Sequence, residues 1–546
     1  MKDLGVPHNK LKDIERRLDE DYESCFPSSG SWEKVAAHLL LAYDFAARTT
    51  DSHTVDRLKY DLMHVLRWGH DASSQPFRAL PDNLDQQLFE SCRSILNRGN
   101  EYAKICGAFI SCHQGLTEVK NIRNQFIEFS GNSSWSAYDA LDNQLAFRNQ
   151  TIPSLESGEN LHRIITDLSQ EFETLSSAEM MDWFPDFGTS RNLISTANRY
   201  LKEGRSLPDS WKFENIPIFK IQEFWKAFLI LGLIHLGVAL RLTGERHVGF
   251  VQLLVKQKDA LINWIAGCVG IKEKIVSRLL ELHIYNRSDR VPDIALTPFV
   301  HLKDNYFATS PWMLISSNFE RNLCAHLARK YPKNYSEASN ALAPHMAGEL
   351  VELFRQAGFK ATSSVKYDRN GTIGDIDLLV WSSREKYVLA AELKWVIPPS
   401  DFMEVLNRGE STCKDSIDRQ LPKYRKLLSE NAGGFIANAF NLKNKPEIIG
   451  WDIGIVIREF VGTSRIDHEQ YFLLQEKLLR EKLRTCKSLQ ELCLWAKNRL
   501  YLPRLGHDYQ MFPVEVISPS GIKVKFWECG VRVEPHHRVE KTAVVD

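Results

Sequence analysis

Residues 371–395 read GTIGDIDLLVWSSREKYVLAAELKW, two apolar runs with charges set into them. Asp375 and Asp377 open the first run, and Glu392 and Lys394 close the second, fifteen residues further on. The runs predict two strands joined by a tight hairpin centred on Arg384 and Glu385. Side chains alternate along a strand, so Asp375 and Asp377 are expected on one face, with Ile376, Leu378 and Val380 on the other. By the same parity Glu392 and Lys394 share a face. In such a hairpin residue 377 lies across from 392 and residue 375 across from 394, which gathers carboxylates and an ammonium on one surface. Carboxylates so gathered repel one another and are costly to bury without a cation. A divalent metal, Mg²⁺ or Mn²⁺, resolves that conflict, and a neighbouring lysine can orient an attacking water or neutralise charge on a phosphate.

The flanking sequence predicts an α/β alternation. KATSSVKYD is a strand, turning at Asn370 and Gly371 into the first apolar run, and SEASNALAPHMAGELVELFRQAGF before it is helical, stopped by Gly358. After the hairpin, DSIDRQLPKYRKLLSE predicts a helix ended by Gly433 and Gly434, and WDIGIVIREF a buried strand. LLQEKLLREKLRTCKSLQELCLWAKNRL follows as a Lys- and Arg-rich helix or helix pair, and Val514 to Val533 as one or two strands.

GDID followed by AELK resembles the signature of the PD-(D/E)xK nuclease superfamily, in its resolvase-like and RecB-like branches. The resemblance spans roughly residues 335–460, the size of an ordinary domain. It implies an α/β nuclease core, a mixed central sheet flanked by helices, joined to a large mainly α-helical N-terminal region. It also implies that Asp377 is the strand aspartate and Glu392 and Lys394 the acidic-x-Lys triplet. The helix carboxylate falls on Glu349 of GELVELFRQAGF, with Glu352 in reserve; Asp375 is a reserve candidate beside Asp377. Asp377, Glu392, Glu349 and the Leu393 carbonyl are then the metal ligands. RQLPKYRK matches the Gln-x-x-x-Tyr of RecB-like members with Gln420 and Tyr424, and Pro422 between them implies a kink or a helix start. Arg419, Lys423, Arg425 and Lys426 on the same segment suit flanking phosphates, or form a solvated face. The implied activity is metal-dependent phosphodiester hydrolysis, in DNA before RNA and endonucleolytic. Cleaving a duplex with one site per chain implies a homodimer. Bacterial restriction or anti-phage effectors join such nucleases to large helical regions, which implies a trigger or protein partner bound by the helical half.

The rest of the chain fits that frame. A length of 546 residues needs several domains. We expect a mainly helical region over 1–290, a junction of short strands and a helix over 291–334, the nuclease domain over 335–465, and a basic helix with short strands over 466–546. In WEKVAAHLLLAYDFAAR the apolar residues recur at helical spacing, as do Val55, Leu58, Leu62 and Val65. Lys plus Arg equal Asp plus Glu at 69 each, so attraction to nucleic acid must come from a local patch. Ten scattered cysteines without a C-x-x-C pair and a charged start lacking an apolar leader predict the reducing cytoplasm. AFLILGLIHLGVAL, residues 227–240, falls short of the ~20 residues that span a bilayer and predicts a buried helix, not a membrane anchor. Cys112 with His113 and His536 with His537 lack zinc-site partners and are expected to be structural or at the surface. The competing class is a helical interaction protein that keeps a nuclease-shaped domain without turnover.

Overall fold

A computed structural model describes residues 8–27, 32–49, 52–68, 84–130, 136–141, 144, 183–184, 194, 197–198, 207–243, 249–286, 289, 292–302, 305–369, 372–397, 413–458 and 470–531. These residues form a mixed α/β structure of helices and several sheets.

The chain opens with α1 (His8–Glu23), α2 (Trp32–Thr49), α3 (Ser52–Trp68) and α4 (Gln86–His113), then a hairpin, β1 (Glu118–Arg123) and β2 (Phe126–Ser130). A two-stranded ribbon, β3 (Lys212–Phe213) and β4 (Ile216–Pro217), leads into α5 (Ile218–Thr243). This helix contains the apolar stretch noted above and runs longer than it, at 26 residues. Its length and composition would suit a bilayer, but 83% of its most apolar window is buried within the protein. There β5 (Leu254–Gln257), α6 (Lys258–Val269), α7 (Glu273–Glu281), β6 (Ile284–Tyr285), β7 (Phe299–His301) and β8 (Tyr306–Thr309) surround it. The strands pair in the order β5-β8-β7-β6, so a boundary at residue 290 would cut through one sheet. β5, from the region expected to be helical, pairs along its length with β8 of the expected junction, Leu254 opposite Thr309 through Gln257 opposite Tyr306.

Helices α8 (Pro311–Ile315), α9 (Phe319–Lys330), α10 (Pro332–Ser339) and α11 (Leu342–Gln356) lead to the segment that carries the charged hairpin. Here β9 (Lys360–Arg369), β10 (Thr372–Ser382) and β11 (Tyr387–Trp395) form an antiparallel meander. Helix α12 (Leu421–Ala439) intervenes before β12 (Gly450–Arg458) and β13 (Phe472–Gln475), which add parallel beside β11 to give the order β13-β12-β11-β10-β9. Met346, Leu350 and Phe354 of α11 pack on one side of this sheet against Leu378, Val380, Leu389 and Leu393. Leu421, Tyr424 and Leu428 of α12 pack on the other, against Leu379, Trp381, Val388 and Ile455.

The first helical segment of α12 ends at Asn431, whose φ of −156° and ψ of 52° are not helical, close to the stop expected at Gly433 and Gly434. A second segment follows to Ala439, and the Asn431 side chain accepts the Gly434 N–H at 3.1 Å. Gly433 also serves close packing: a β-carbon there would stand 2.5 Å from the Pro446 carbonyl oxygen. The basic stretch is a helix pair, α13 (Glu476–Thr485) and α14 (Leu489–Lys497), although its first residues, through Gln475, belong to β13.

Last come β14 (Tyr509–Ile517) and β15 (Lys523–Val531). They do not stand apart as a C-terminal piece: β15 pairs in parallel with β2, giving the sheet β1-β2-β15-β14 over α1 and α4.

Candidate active site

The β10–β11 hairpin has the expected register. Ser382 pairs with Tyr387 across a four-residue turn, and the ladder runs to Leu378 opposite Ala391. There it stops, and the strands part just where Asp377 and Glu392 would be next. Freed from the ladder, the Leu393 N–H donates at 2.8 Å to the Asp377 carboxylate. On the other side of β10, Ser364 of β9, opposite Asp377, has a φ of 52°. The expected alternation breaks at this point. Leu378 and Val380 pack beneath α11, whereas Ile376 joins Leu379 and Trp381 beneath α12. Ile376, Leu378 and Val380 therefore do not share one face, because the irregular backbone at 364 and 377 turns the strand pair over.

Glu392 is 7% exposed and both of its oxygens are engaged. One accepts from Lys394 Nζ at 2.8 Å, the other from the Tyr424 hydroxyl at 2.6 Å. The same hydroxyl lies 2.9 Å from the Asp375 carbonyl, so a single proton serves two acceptors and ties α12 to both strands. Burial, then the Glu392 charge, push the Asp377 carboxyl up to about 6, against the pull of the Leu393 N–H and Lys394. Burial and the Glu392 carboxylate likewise hold the Tyr424 hydroxyl well above its ordinary range. Asp375 has an exposed side chain and contributes its backbone carbonyl.

Glu349, on α11, is held by cations. Its carboxylate pairs with Arg458 and, at 3.3 Å, with Arg480, and His345 lies 3.6 Å away. Partial burial would raise its pKa, but Arg458, Arg480 and His345 outweigh that and hold it low. Among the described residues no hydrogen bond or ion pair joins Glu349 to Asp377, Glu392 or Lys394. Glu352 is exposed and accepts from Gln356 at 3.2 Å.

Before α12 the chain makes a π-helical turn over Ser416–Gln420. Pro422 has no N–H to donate to the preceding turn, and the Leu421 N–H reaches back to the Ser416 carbonyl. Of the kink or helix start expected at Pro422, the structure has the helix start: Pro422 stands in the first turn of α12, just after this wider turn. The turn leaves the two sequence partners unequal: Tyr424 enters the site, whereas Gln420 is half-buried and engages none of these carboxylates. Arg419 pairs with Asp415 and Arg425 with Gln470, while Lys423 and Lys426 are exposed. His113 contacts Glu15 at 2.8 Å and Cys112 is buried; residues 536 and 537 lie outside the described residues.

Comparison of the chain with protein-family models, with curated proteins and with solved structures returned no match. A reading of the site therefore rests on its own chemistry. No group of three or more His, Cys, Asp and Glu side chains comes together as a metal cage among the described residues. Two carboxylates lie near each other, Asp377 and Glu392, and the Glu392 charge adds to burial in raising the Asp377 carboxyl. That donor set fits Mg²⁺, which takes one or two carboxylates and keeps several waters.

Tyr367 went unnoticed in the sequence. A turn centred on Asn370 and Gly371 already puts residue 367 opposite Gly374, and the ladder pairs them so. Its ring packs edge-on to Tyr424, with centroids 6.4 Å apart.

Proposed function

We propose that this chain is a metal-dependent nuclease that hydrolyses phosphodiester bonds, with DNA as the favoured substrate and Asp377, Glu392 and Lys394 as its catalytic residues. The observation that carries the reading is the parting of β10 and β11, which leaves two neighbouring carboxylates and a lysine at the end of the ladder. A Mg²⁺ or Mn²⁺ held by Asp377 and Glu392, with the Leu393 carbonyl, would supply Lewis acidity at the phosphate. Lys394, partly exposed, orients the attacking water and offsets charge growing on the phosphate oxygens. Tyr424 keeps Glu392 in place from the α12 side. Lys423 and Lys426, exposed on that helix, are suited to flanking phosphates.

The second reading, a nucleic-acid-binding protein without turnover, is favoured by two observations. Both Glu392 oxygens are already engaged, and Glu349 is occupied by two guanidiniums. One experiment separates the two. Linear, circular and single-stranded DNA, with an RNA control, are incubated with the full chain in Mg²⁺, Mn²⁺ or EDTA, beside Asp377→Ala and Lys394→Ala. The nuclease reading expects metal-dependent cutting that both variants lose. Nucleic-acid binding without cutting in any metal would establish the second reading.

A further inference from the structure

The hydroxyl of Tyr367 is buried and has no hydrogen-bond partner, although the residue is only 8% exposed. It sits there by design of the backbone. Gly374, opposite it on β10, has no side chain, and a β-carbon there would stand 2.4 Å from the Tyr367 oxygen. The ring thus lies across β10 on the α12 side, against Tyr424, and the charges acting on its hydroxyl are those of Asp375 and Glu392. Burial first, and then those two charges, raise its pKa, yet it bonds to neither carboxylate.

A buried hydroxyl without a partner is destabilising relative to a satisfied one. Phenylalanine would fill the same space without that cost. A hydroxyl kept in such a place has its use in another state of the protein, one in which something bound beside Asp375 and Glu392 supplies the missing partner. Mg²⁺-type cations retain waters, and groups that hold those waters tune affinity without touching the ion.

We propose that Tyr367 is a positioning residue that hydrogen-bonds the hydration shell of a divalent cation bound at Asp377 and Glu392. This rests on the carboxylate pair being a cation site, as the proposed nuclease reading requires. Mn²⁺ binding to the full chain, measured by calorimetry without nucleic acid, tests it in wild type, Tyr367→Phe and Asp377→Asn, together with thermal melting without metal. The expected result is that Tyr367→Phe melts at the wild-type temperature or above and binds Mn²⁺ about tenfold more weakly. Asp377→Asn should lose binding. Unchanged Mn²⁺ affinity in Tyr367→Phe, with normal wild-type binding, would overturn the role of the hydroxyl and leave the site intact. A lower melting temperature would also overturn it, since the hydroxyl would then have a partner in the metal-free protein. No Mn²⁺ uptake by wild type, or uptake that survives Asp377→Asn, would remove the site itself, and with it the role given to Tyr367.

Discussion

Asp377 is poised between two charge states, and the pH dependence of stability should show it. Its carboxyl is pushed from an ordinary 3.8 up to about 6, first by burial and then by Glu392. Below about pH 4 both the folded and the unfolded chain hold the proton, and the residue costs nothing. Between about pH 4 and 6 the unfolded chain releases it first, so stability falls as pH rises; above about 6 the full cost, on the order of 3 kcal/mol, is present. Asparagine keeps an oxygen for the Leu393 N–H and carries no charge. Asp377→Asn should therefore raise stability at about pH 8, with little change at about pH 4, and on the proposed nuclease reading it should also abolish cleavage. Urea unfolding at both pH values decides it; an equal shift at each would mean that charge repulsion is not the cause. Tyr424→Phe should act oppositely, because it strips one partner from a buried carboxylate. We expect about 1–3 kcal/mol lost in the same unfolding measurement, and, on the proposed nuclease reading, slower cleavage. An unchanged midpoint would argue that Lys394 alone satisfies Glu392.

At the scale of elements, Gly433 provides a test with a definite sign. Replacing a glycine inside a helix by alanine ordinarily stabilises by about 1 kcal/mol. In α12 the new methyl would stand 2.5 Å from the Pro446 carbonyl oxygen, a backbone atom that cannot swing aside. Gly433→Ala should lower the melting temperature, and a rise would show that the helix end has room. The same residues explain what the sequence revealed and what it hid. The hairpin of β10 and β11, its register and the nearness of Asp377 to Glu392 were legible, since they follow from local alternation and one turn. The reversal of faces at Asp377 was not, because it arises from the irregular backbone at Ser364, on a different strand. The break in α12 near Gly433 and Gly434 was legible from local propensity and falls at Asn431, whereas the Pro446 carbonyl that leaves no room for a side chain at Gly433 comes from a later loop and was not. Glu349 lies on the expected helix, but its Arg458 and Arg480 partners are 109 and 131 residues away and leave no trace in the local pattern.

The least legible feature is the one that joins the ends of the described chain. β2 and β15 are parallel neighbours about 400 residues apart, and no spacing or turn announces such a pairing. Val516, Ile522, Val524 and Phe526 enter one core with Leu11, Leu18, Tyr22, Phe109 and Phe129. Burying four apolar side chains contributes about 1.5–3 kcal/mol each, together comparable to the net stability of a domain. A chain shortened to end before Tyr509 should therefore lose protection of the α1, α4 and β2 amides against hydrogen exchange. The β9–β12 amides should keep theirs, because that sheet has cores of its own on both faces. Unchanged protection of α1 and α4 would mean that the terminal strands are an ornament on an independent helical unit. Loss at α1 and α4 alone would make β14 and β15 a strap that closes the helical half from the far side of the candidate active site in the chain.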